Sequence, residues 1–216
     1  MPRTAARPRP TVVLLVRHGQ TPTTGKLLPG RAPGLHLSEV GQGQAEAVGR
    51  RLAAQPKLKV DAIYASPLER TRETAGFIAK ALDLKVKVDK GLLEADIGDW
   101  TGQELKAVSK LPEWKGVHSY PSGFRFPGGE SFVEMQSRTV GALDRLRKPH
   151  PGQTIVAVSH ADTIQAAVAH ALGTHLDLFQ RIVISPCSVT AISYCDGGPT
   201  VLSVNSVGEG PAPPPS

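Results

Sequence analysis

Three short apolar runs, each followed by a polar cluster, constrain the fold of this 216-residue chain more than any other feature. The runs cover residues 11–17 (TVVLLVR), 61–65 (DAIYA) and 154–159 (TIVAVS). Short, continuous runs rich in β-branched residues are typical of strands buried on both faces, as parallel strands are. Helical patterns lie between these runs, and this alternation favours an α/β domain.

Helical periodicity and capping signals predict where the helices lie. Ser66 and Ser131 are each followed three residues later by Glu, the pattern of a capping box at a helix N-terminus. The first helix is expected to align one face from Val40, Gln44, Val48 and Leu52. The predicted helices cover residues 38–54, 66–82, 103–110, 131–147 and 161–172.

Shorter strand patterns complete the predicted sheet. Residues 85–88 form a short strand, and residues 189–194 and 200–204 form a hairpin around Asp196-Gly197-Gly198. The expected fold is therefore a three-layer α/β sandwich. Its central sheet is mainly parallel, with helices on both faces and an antiparallel edge.

Composition separates a central domain from two tails. The first ten residues hold three arginines and no acid, so residues 1–10 are expected to form a disordered basic tail. Residues 207–216 are rich in Gly and Pro and are expected to be a second disordered tail. The domain is predicted over residues 11–206, and residues 92–130 form an irregular, lid-like insertion within it.

Charge and cysteine content narrow the class of protein. The net charge of +6 fits a site for a small anion but is too small to argue for nucleic acid. The apolar run 12–16 is too short for a signal peptide or a membrane span, so a cytoplasmic protein is expected. Cys187 and Cys195 lie in one strand-like run, which would hold them roughly 26 Å apart, so both are interpreted as buried, reduced thiols.

The polar clusters identify a candidate site. Arg17-His18-Gly19 follows the first strand, a cluster containing Arg70 follows the second, and His160 ends the third. In an open α/β sheet, ligands bind at the carboxyl ends of the strands, so these side chains are expected to meet at one edge. Two arginines, two histidines and open backbone amides are suited to a dianion such as phosphate.

Five segments in order carry a resemblance to the histidine phosphatase superfamily, the phosphoglycerate mutase-like family. It spans about residues 11–194, and the phosphatase branch is the more similar. The segments are VRHGQT (16–21), SPLERTRETA (66–75), LLEADIGDWTG (92–102), PGGES (127–131) and VSHAD (158–162).

The resemblance implies a phosphatase that hydrolyses phosphate monoesters through a phosphohistidine intermediate. His18 would be the nucleophile, and Glu94 would protonate the leaving alkoxide and then activate water. Asp96 and Asp99 are alternatives to Glu94 as the acid. No metal ion and no cofactor are expected, because arginines supply the positive charge. The other expected site residues are the catalytic His160 and the phosphate-binding Arg17, Arg70, Gln20 and Thr21.

Substrate specificity is expected to lie in the loop 23–35 and in the lid. Departures from the family pattern at Thr24, Thr101, Ala161 and Gln165 affect substrate contacts rather than phosphoryl chemistry. The expected substrate-loop contacts are Thr24, Gly30, Arg31 and Ala161. Five lid aromatics are either a satellite core or substrate contacts: Trp100, Trp114, Tyr120, Phe124 and Phe126.

Other functions stay open on the residues alone. The nearest alternative that the resemblance implies is a phosphoglycerate mutase, which would need to retain a bisphosphorylated intermediate and whose branch carries a longer insertion between the positions of Glu94 and His160. A protein-phosphohistidine phosphatase and a non-catalytic anion-binding protein on the same fold are further alternatives. The expected partner is a small phosphorylated metabolite, without nucleic acid or membrane, and a homodimer is possible.

Overall fold

A single six-stranded sheet forms the centre of the computed structural model, which describes residues 9–208. The strand order is β3-β2-β4-β1-β5-β6, with β1 to β4 parallel and β5 antiparallel to both its neighbours. The predicted mainly parallel sheet with an antiparallel edge is confirmed. The strands are β1 Thr11–Arg17, β2 Ala62–Ala65, β3 Val86–Val88, β4 Thr154–Ser159, β5 Val189–Cys195 and β6 Gly198–Ser206.

Helices cover both faces of the sheet, as predicted. Successive side chains of a strand point to opposite faces. The helices are α1 Glu39–Ala53, α2 Glu69–Leu82, α3 Leu105–Val108, α4 Trp114–Ser119, α5 Phe132–Arg147 and α6 Ala161–Leu172, and short 3-10 turns connect several of them. In β1, Leu14 and Val16 accordingly pack with α1 and α2, whereas Val13 and Leu15 pack with α5 and α6.

Two details of the helix predictions are wrong. Ser66 does not cap α2, which begins at Glu69 without a side-chain cap, because the Ser66 hydroxyl is buried against His160 instead. Val40 does not belong to the buried face of α1, since 60% of it is exposed. The capping box at Ser131 is confirmed, with both of its reciprocal hydrogen bonds formed.

The lid contains more structure than its sequence indicated. The short helix predicted at residues 103–110 is present, but only as the four residues of α3. The lid also holds α4 and several 3-10 turns. Trp100 and Phe126 are almost fully buried and pack with Phe132 of α5 and Phe179. This third hydrophobic cluster anchors the lid to the α5–α6 side of the sheet.

The prediction of two buried, reduced thiols in one strand is confirmed for the burial of Cys187 but is wrong for its place in the strand and for the burial of Cys195. Cys187 precedes β5 with a left-handed backbone and is buried, whereas Cys195 ends that strand and is exposed. Both are free thiols. Of the helices within residues 9–208, none combines the length and apolar character that a membrane span needs. The tails predicted at 1–10 and 207–216 fall largely outside the described residues.

Candidate active site

The carboxyl ends of three adjacent strands bring the predicted polar clusters together. Strand β4 lies between β1 and β2, and its end pairs in register with both: Arg17 lies opposite Ser159, and Ala65 lies opposite Val158. The residue after each strand end therefore lies at the same edge. His18 follows β1, Ser66 follows β2, and His160 follows β4.

His18 is held in one orientation and one tautomer. Its Nδ1 lies 2.7 Å from the Gly19 carbonyl oxygen, which can only accept, so Nδ1 carries the proton and Nε2 keeps its lone pair. Burial, then the charges of Arg70 and Arg17, lower the His18 pKa to about 3. The imidazole is therefore neutral at physiological pH. Gly19 is required locally, because a Cβ there would lie 2.5 Å from the Gly41 carbonyl oxygen.

Arg70 is almost completely buried, with 1% of its surface exposed. Its Nη2 donates to the Gly30 carbonyl oxygen at 2.9 Å, while Nε and Nη1 are buried without a partner among residues 9–208. Gly30 has a φ of +48°, and a Cβ there would contact Ile97 at 2.7 Å. The loop 23–35 thus reaches Arg70 through Gly30, a position that only glycine fills without strain.

Arg17 adds a second guanidinium, which is half-buried and lines the cavity described below. Its Nη1 donates to the Ile184 carbonyl oxygen at 2.7 Å, and its Nε has no partner within the described part of the chain. Burial lowers the pKa of both arginines, but an arginine remains protonated in a protein. Unpaired buried N–H groups are costly, and charge-assisted hydrogen bonds to an oxyanion satisfy them well. The pair is therefore suited to hold a phosphoryl group.

His160 faces His18, and the centres of the two rings lie 5.2 Å apart. Its Nε2 lies 2.9 Å from the Ser66 hydroxyl, and its Nδ1 lies 3.9 Å from a Glu94 carboxylate oxygen. Burial, then the charge of Arg70, lowers its pKa well below the usual value. His160 is thus a second neutral imidazole that can exchange hydrogen bonds with a ligand.

Glu94 is the acidic group nearest to His160. Its Oε1 accepts from the Ala95 amide at 3.0 Å and lies 3.4 Å from the Thr163 hydroxyl. Burial first, and the negative charge of Asp162 second, raise its pKa to about 7. A carboxyl group with this pKa can both give and take a proton near neutral pH.

Two arginines hold the main chain of Glu94 in place. Arg31 donates from Nε to the Glu94 carbonyl oxygen at 2.8 Å, and Arg138 donates to the Leu93 carbonyl at 3.0 Å and to the Glu94 carbonyl at 3.4 Å. The carboxylate of Glu130 accepts from Arg31 at 2.8 Å and from Arg138 at 2.7 Å. Sequence reasoning missed Arg138 and assigned no role to Glu130, although Glu130 lies in the PGGES segment.

The remaining predicted residues take simpler positions. The Thr21 amide donates to the Thr24 hydroxyl at 2.9 Å, so the two threonines shape the start of the loop. Gln20 is half-buried, and its main-chain amide donates to the Gln44 side chain. Asp96 accepts from Arg31 at 3.1 Å, which places it in the arginine network rather than against the histidines. The Asp99 amide donates to Pro127 within the lid.

A cavity of about 950 Å³ opens beside these groups. Its lining includes Arg17 and Ala161, the chain neighbours of His18 and His160, together with Thr24, Arg51 and Gln165. Residues 182–187 and 207–208 also line it. The lid aromatics do not line it: Trp100 packs on Trp114 and Phe126 with ring centres 5.9 and 5.6 Å apart, while Tyr120 is exposed. The satellite-core interpretation is thus favoured for Trp100, Trp114 and Phe126.

Comparison with known proteins gives one family. The family described as the histidine phosphatase superfamily (branch 1) matches residues 13–207. A bifunctional protein of Mycobacterium tuberculosis is 35% identical over 209 residues, which is 95% of this chain but 56% of that protein. The chain therefore spans about half the length of the curated relatives it first matches. Phosphoserine phosphatase 1 of Hydrogenobacter thermophilus is 33% identical, with 89% of this chain and 91% of the relative covered.

The names of two similar solved structures and of a further relative give two kinds of activity, phosphatase and phosphoglycerate mutase. Mycobacterial glucosyl-3-phosphoglycerate phosphatase superposes with a TM-score of 0.81 at 26% identity, over 92% of this chain and all of that one. A phosphoserine phosphatase from Entamoeba histolytica gives the same TM-score and identity, over 91% and 98% of the two chains. A probable phosphoglycerate mutase of Cronobacter sakazakii is 32% identical, with 84% of each chain covered.

Proposed function

The chain belongs to the histidine phosphatase superfamily, branch 1, and on that premise we propose that it hydrolyses small phosphate monoesters through a phosphohistidine on His18. The observation that carries the proposal is the state of His18. It is neutral, its Nδ1–H is bound to the Gly19 carbonyl, and its other nitrogen has no hydrogen-bond partner within residues 9–208 and lies in a cluster of two arginines and a second histidine. This is the state in which an imidazole is nucleophilic.

The first step is phosphoryl transfer. The Nε2 lone pair of His18 forms a bond to phosphorus while the bond from phosphorus to the ester oxygen breaks. Arg17, Arg70 and His160 hold the three transferring oxygens and offset their charge, a contribution that is large when the donors are already positioned in a buried site. None of these three side chains has to move in from the protein surface to reach the phosphoryl group.

Phosphoryl transfer and the later hydrolysis each need a proton to be moved, and we assign both proton transfers to Glu94. Its carboxyl group gives a proton to the departing alkoxide and becomes a carboxylate. The carboxylate then takes a proton from water as that water attacks the phosphorus of the phosphohistidine. This attack releases inorganic phosphate and returns His18 and Glu94 to their starting states. The pKa of about 7 supports both halves of this cycle.

The first test is phosphate release from nitrophenyl phosphate and from alkyl phosphates by the purified chain. We expect turnover that EDTA leaves intact and that His18→Asn removes, with Glu46→Gln on the exposed surface of α1 as the matched control. Absence of turnover on every phosphate monoester, or equal activity of His18→Asn, would overturn the proposal.

A mutase is the second candidate, because one relative is named a probable phosphoglycerate mutase. The interval between Glu94 and His160 is short, and this favours the phosphatase. Incubation with phosphoglycerates separates the two. Inorganic phosphate as the main product supports a phosphatase, whereas an isomeric phosphoglycerate formed without phosphate release supports a mutase.

A further inference from the structure

The first turns of α6 form one wall of the cavity, and this wall presents hydrogen-bond acceptors. Ala161 and Gln165 line the cavity directly. Asp162 and Gln165 are three residues apart on the helix, so they lie on the same face. Both side chains are outside the set of groups that we assign to the phosphoryl group.

Gln165 has a defined orientation. Its Nε2 donates to the Ile182 carbonyl oxygen at 2.6 Å, and a carbonyl can only accept, so the amide nitrogen must occupy that position. Its Oε1 is therefore the free atom. It is buried, and within residues 9–208 it has no hydrogen-bond partner. A buried amide oxygen without a donor costs free energy unless a ligand supplies that donor.

Asp162 adds a carboxylate in the first turn of α6, directly after Ala161. It is half-buried, burial raises the pKa of its carboxyl group while the charge of Arg17 opposes this rise, and no hydrogen bond within residues 9–208 reaches its side chain. It lies near enough to Arg17 and Glu94 for its charge to act on both. Among the described residues that line the cavity, Arg51 is the one cation besides Arg17, and its Nη2 donates to the main chain of Ser206 at 2.9 Å.

We propose that Gln165 and Asp162 recognise the leaving group of the substrate, and that they select phosphate monoesters whose leaving group presents hydroxyl or ammonium donors to this wall. The inference rests on the proposed function, since it concerns the same site. A hydroxyl or an ammonium satisfies both acceptors. A carboxylate at the same place would bring acceptor against acceptor, and both would be left without a partner.

The test compares four substrates that share the phosphate and differ in the leaving group. Glycerol 3-phosphate offers hydroxyls, phosphoethanolamine an ammonium, phosphoglycolate a carboxylate, and ethyl phosphate none of these. We expect kcat/KM for the better of the two donor substrates to exceed that for ethyl phosphate. We expect phosphoglycolate to fall at least tenfold below that donor substrate. The two donor substrates, compared with each other, tell whether hydroxyl or ammonium is preferred.

Three variants test whether the α6 wall sets the preference. Gln165→Arg replaces the acceptor by a cation and should raise kcat/KM for phosphoglycolate about tenfold. Asp162→Asn should lower the ratio of phosphoethanolamine to ethyl phosphate about tenfold. Gln165→Leu removes the acceptor without adding charge and should lower the advantage of the donor substrates over ethyl phosphate. Gln165→Leu takes the place of Gln165→Arg in the test if the arginine variant does not fold. Gln42→Arg and Asp144→Asn make the same changes at exposed positions and should leave every ratio unchanged.

Nitrophenyl phosphate separates failure of this inference from failure of the proposed function. If the wild-type chain hydrolyses nitrophenyl phosphate but prefers phosphoglycolate, or if the α6 variants change no ratio by more than threefold, the inference is wrong and the phosphatase activity stands. If nitrophenyl phosphate is not hydrolysed at all, both this inference and the proposed function are wrong.

Discussion

The phosphoryl end of the site and its leaving-group end are built in different ways. The phosphoryl end lies at the ends of three adjacent buried strands, and Arg70 and His160 there are almost inaccessible to solvent. The proposed leaving-group end is a cavity of about 950 Å³, lined by α1, α6, residues 24–25, 182–187 and 207–208, together with Arg17 and Gln180. The chemistry of the first region follows from a few residue types, whereas the second is shaped by residues from many separate parts of the chain.

This contrast explains what could be predicted from the sequence. His18, Arg70 and His160 were predicted because continuous apolar strands place whatever follows them at one edge of the sheet. The charge of each residue type then indicated a phosphate site. The same logic predicted β1, β4 and α6 with their observed bounds.

Features that depend on tertiary contacts could not be predicted. Arg31 and Glu130 meet although 99 positions separate them along the chain. Ser66 had a correct local capping pattern, but its hydroxyl pairs with His160 from another strand. The helix α4 lies in an irregular segment whose aromatic residues gave no clear period. In each case the decisive partner is remote in sequence.

After loss of the nucleophile His18 itself, the largest effect expected in the phosphoryl region comes from Glu94→Gln. Without the acid, transfer from an alkyl phosphate should slow by about 10²–10⁴-fold, with KM little changed. Transfer from nitrophenyl phosphate should slow much less, because nitrophenolate leaves without protonation. Pre-steady-state release of nitrophenol measures this step, and a burst followed by slow turnover is expected because water still needs a base. An equal loss for both substrates would exclude Glu94 as the leaving-group acid, and Asp96 or Asp99 would then be tested.

Arg70→Ala should have the next largest effect. The side chain is proposed to hold the phosphoryl group in both the ground and the transition state, so KM should rise and kcat should fall, with kcat/KM lower by about 10²–10³-fold. Arg70→Lys should recover little of this loss, because an ammonium cannot reproduce two parallel donors. Arg72→Ala, on the exposed side of the same helix, is the matched control. Full activity of Arg70→Lys would contradict a two-point contact.

Glu130→Gln tests the network that positions Glu94. Loss of the carboxylate should leave Arg31 and Arg138 free to move, and with them the main chain of Glu94. We expect kcat on alkyl phosphates to fall about tenfold with KM unchanged, while nitrophenyl phosphate is much less affected. Glu134→Gln, in the exposed ion pair with Arg125, is the control. Equal losses on both substrates would indicate a general structural defect instead.

The smallest effect is on stability, and it has a defined sign. The Glu94 pKa is raised from 4.5 when unfolded to about 7 when folded. The unfolded state therefore loses its proton first, and wild-type stability falls as the pH rises from about 4.5 to 7. Glu94→Gln removes this loss of folding stability at higher pH. Relative to the wild type, it should be more stable by about 1–3 kcal/mol at pH 8 and show no gain at pH 4. Urea unfolding at both pH values measures this, and an equal gain at pH 4 would contradict the raised pKa.

The most direct test of the phosphoryl end is to identify the atom that carries the phosphoryl group during turnover. The chain is mixed with nitrophenyl phosphate, quenched within milliseconds in alkali, digested, and sequenced by mass spectrometry without exposure to acid, since phosphohistidine survives only in base. Glu94→Gln is analysed in parallel, because slow dephosphorylation should accumulate the intermediate. The account predicts a phosphoryl group on His18 in both proteins and its absence in His18→Asn. A phosphoryl group on His160, on a serine or on Cys187, with His18 unmodified, would contradict it.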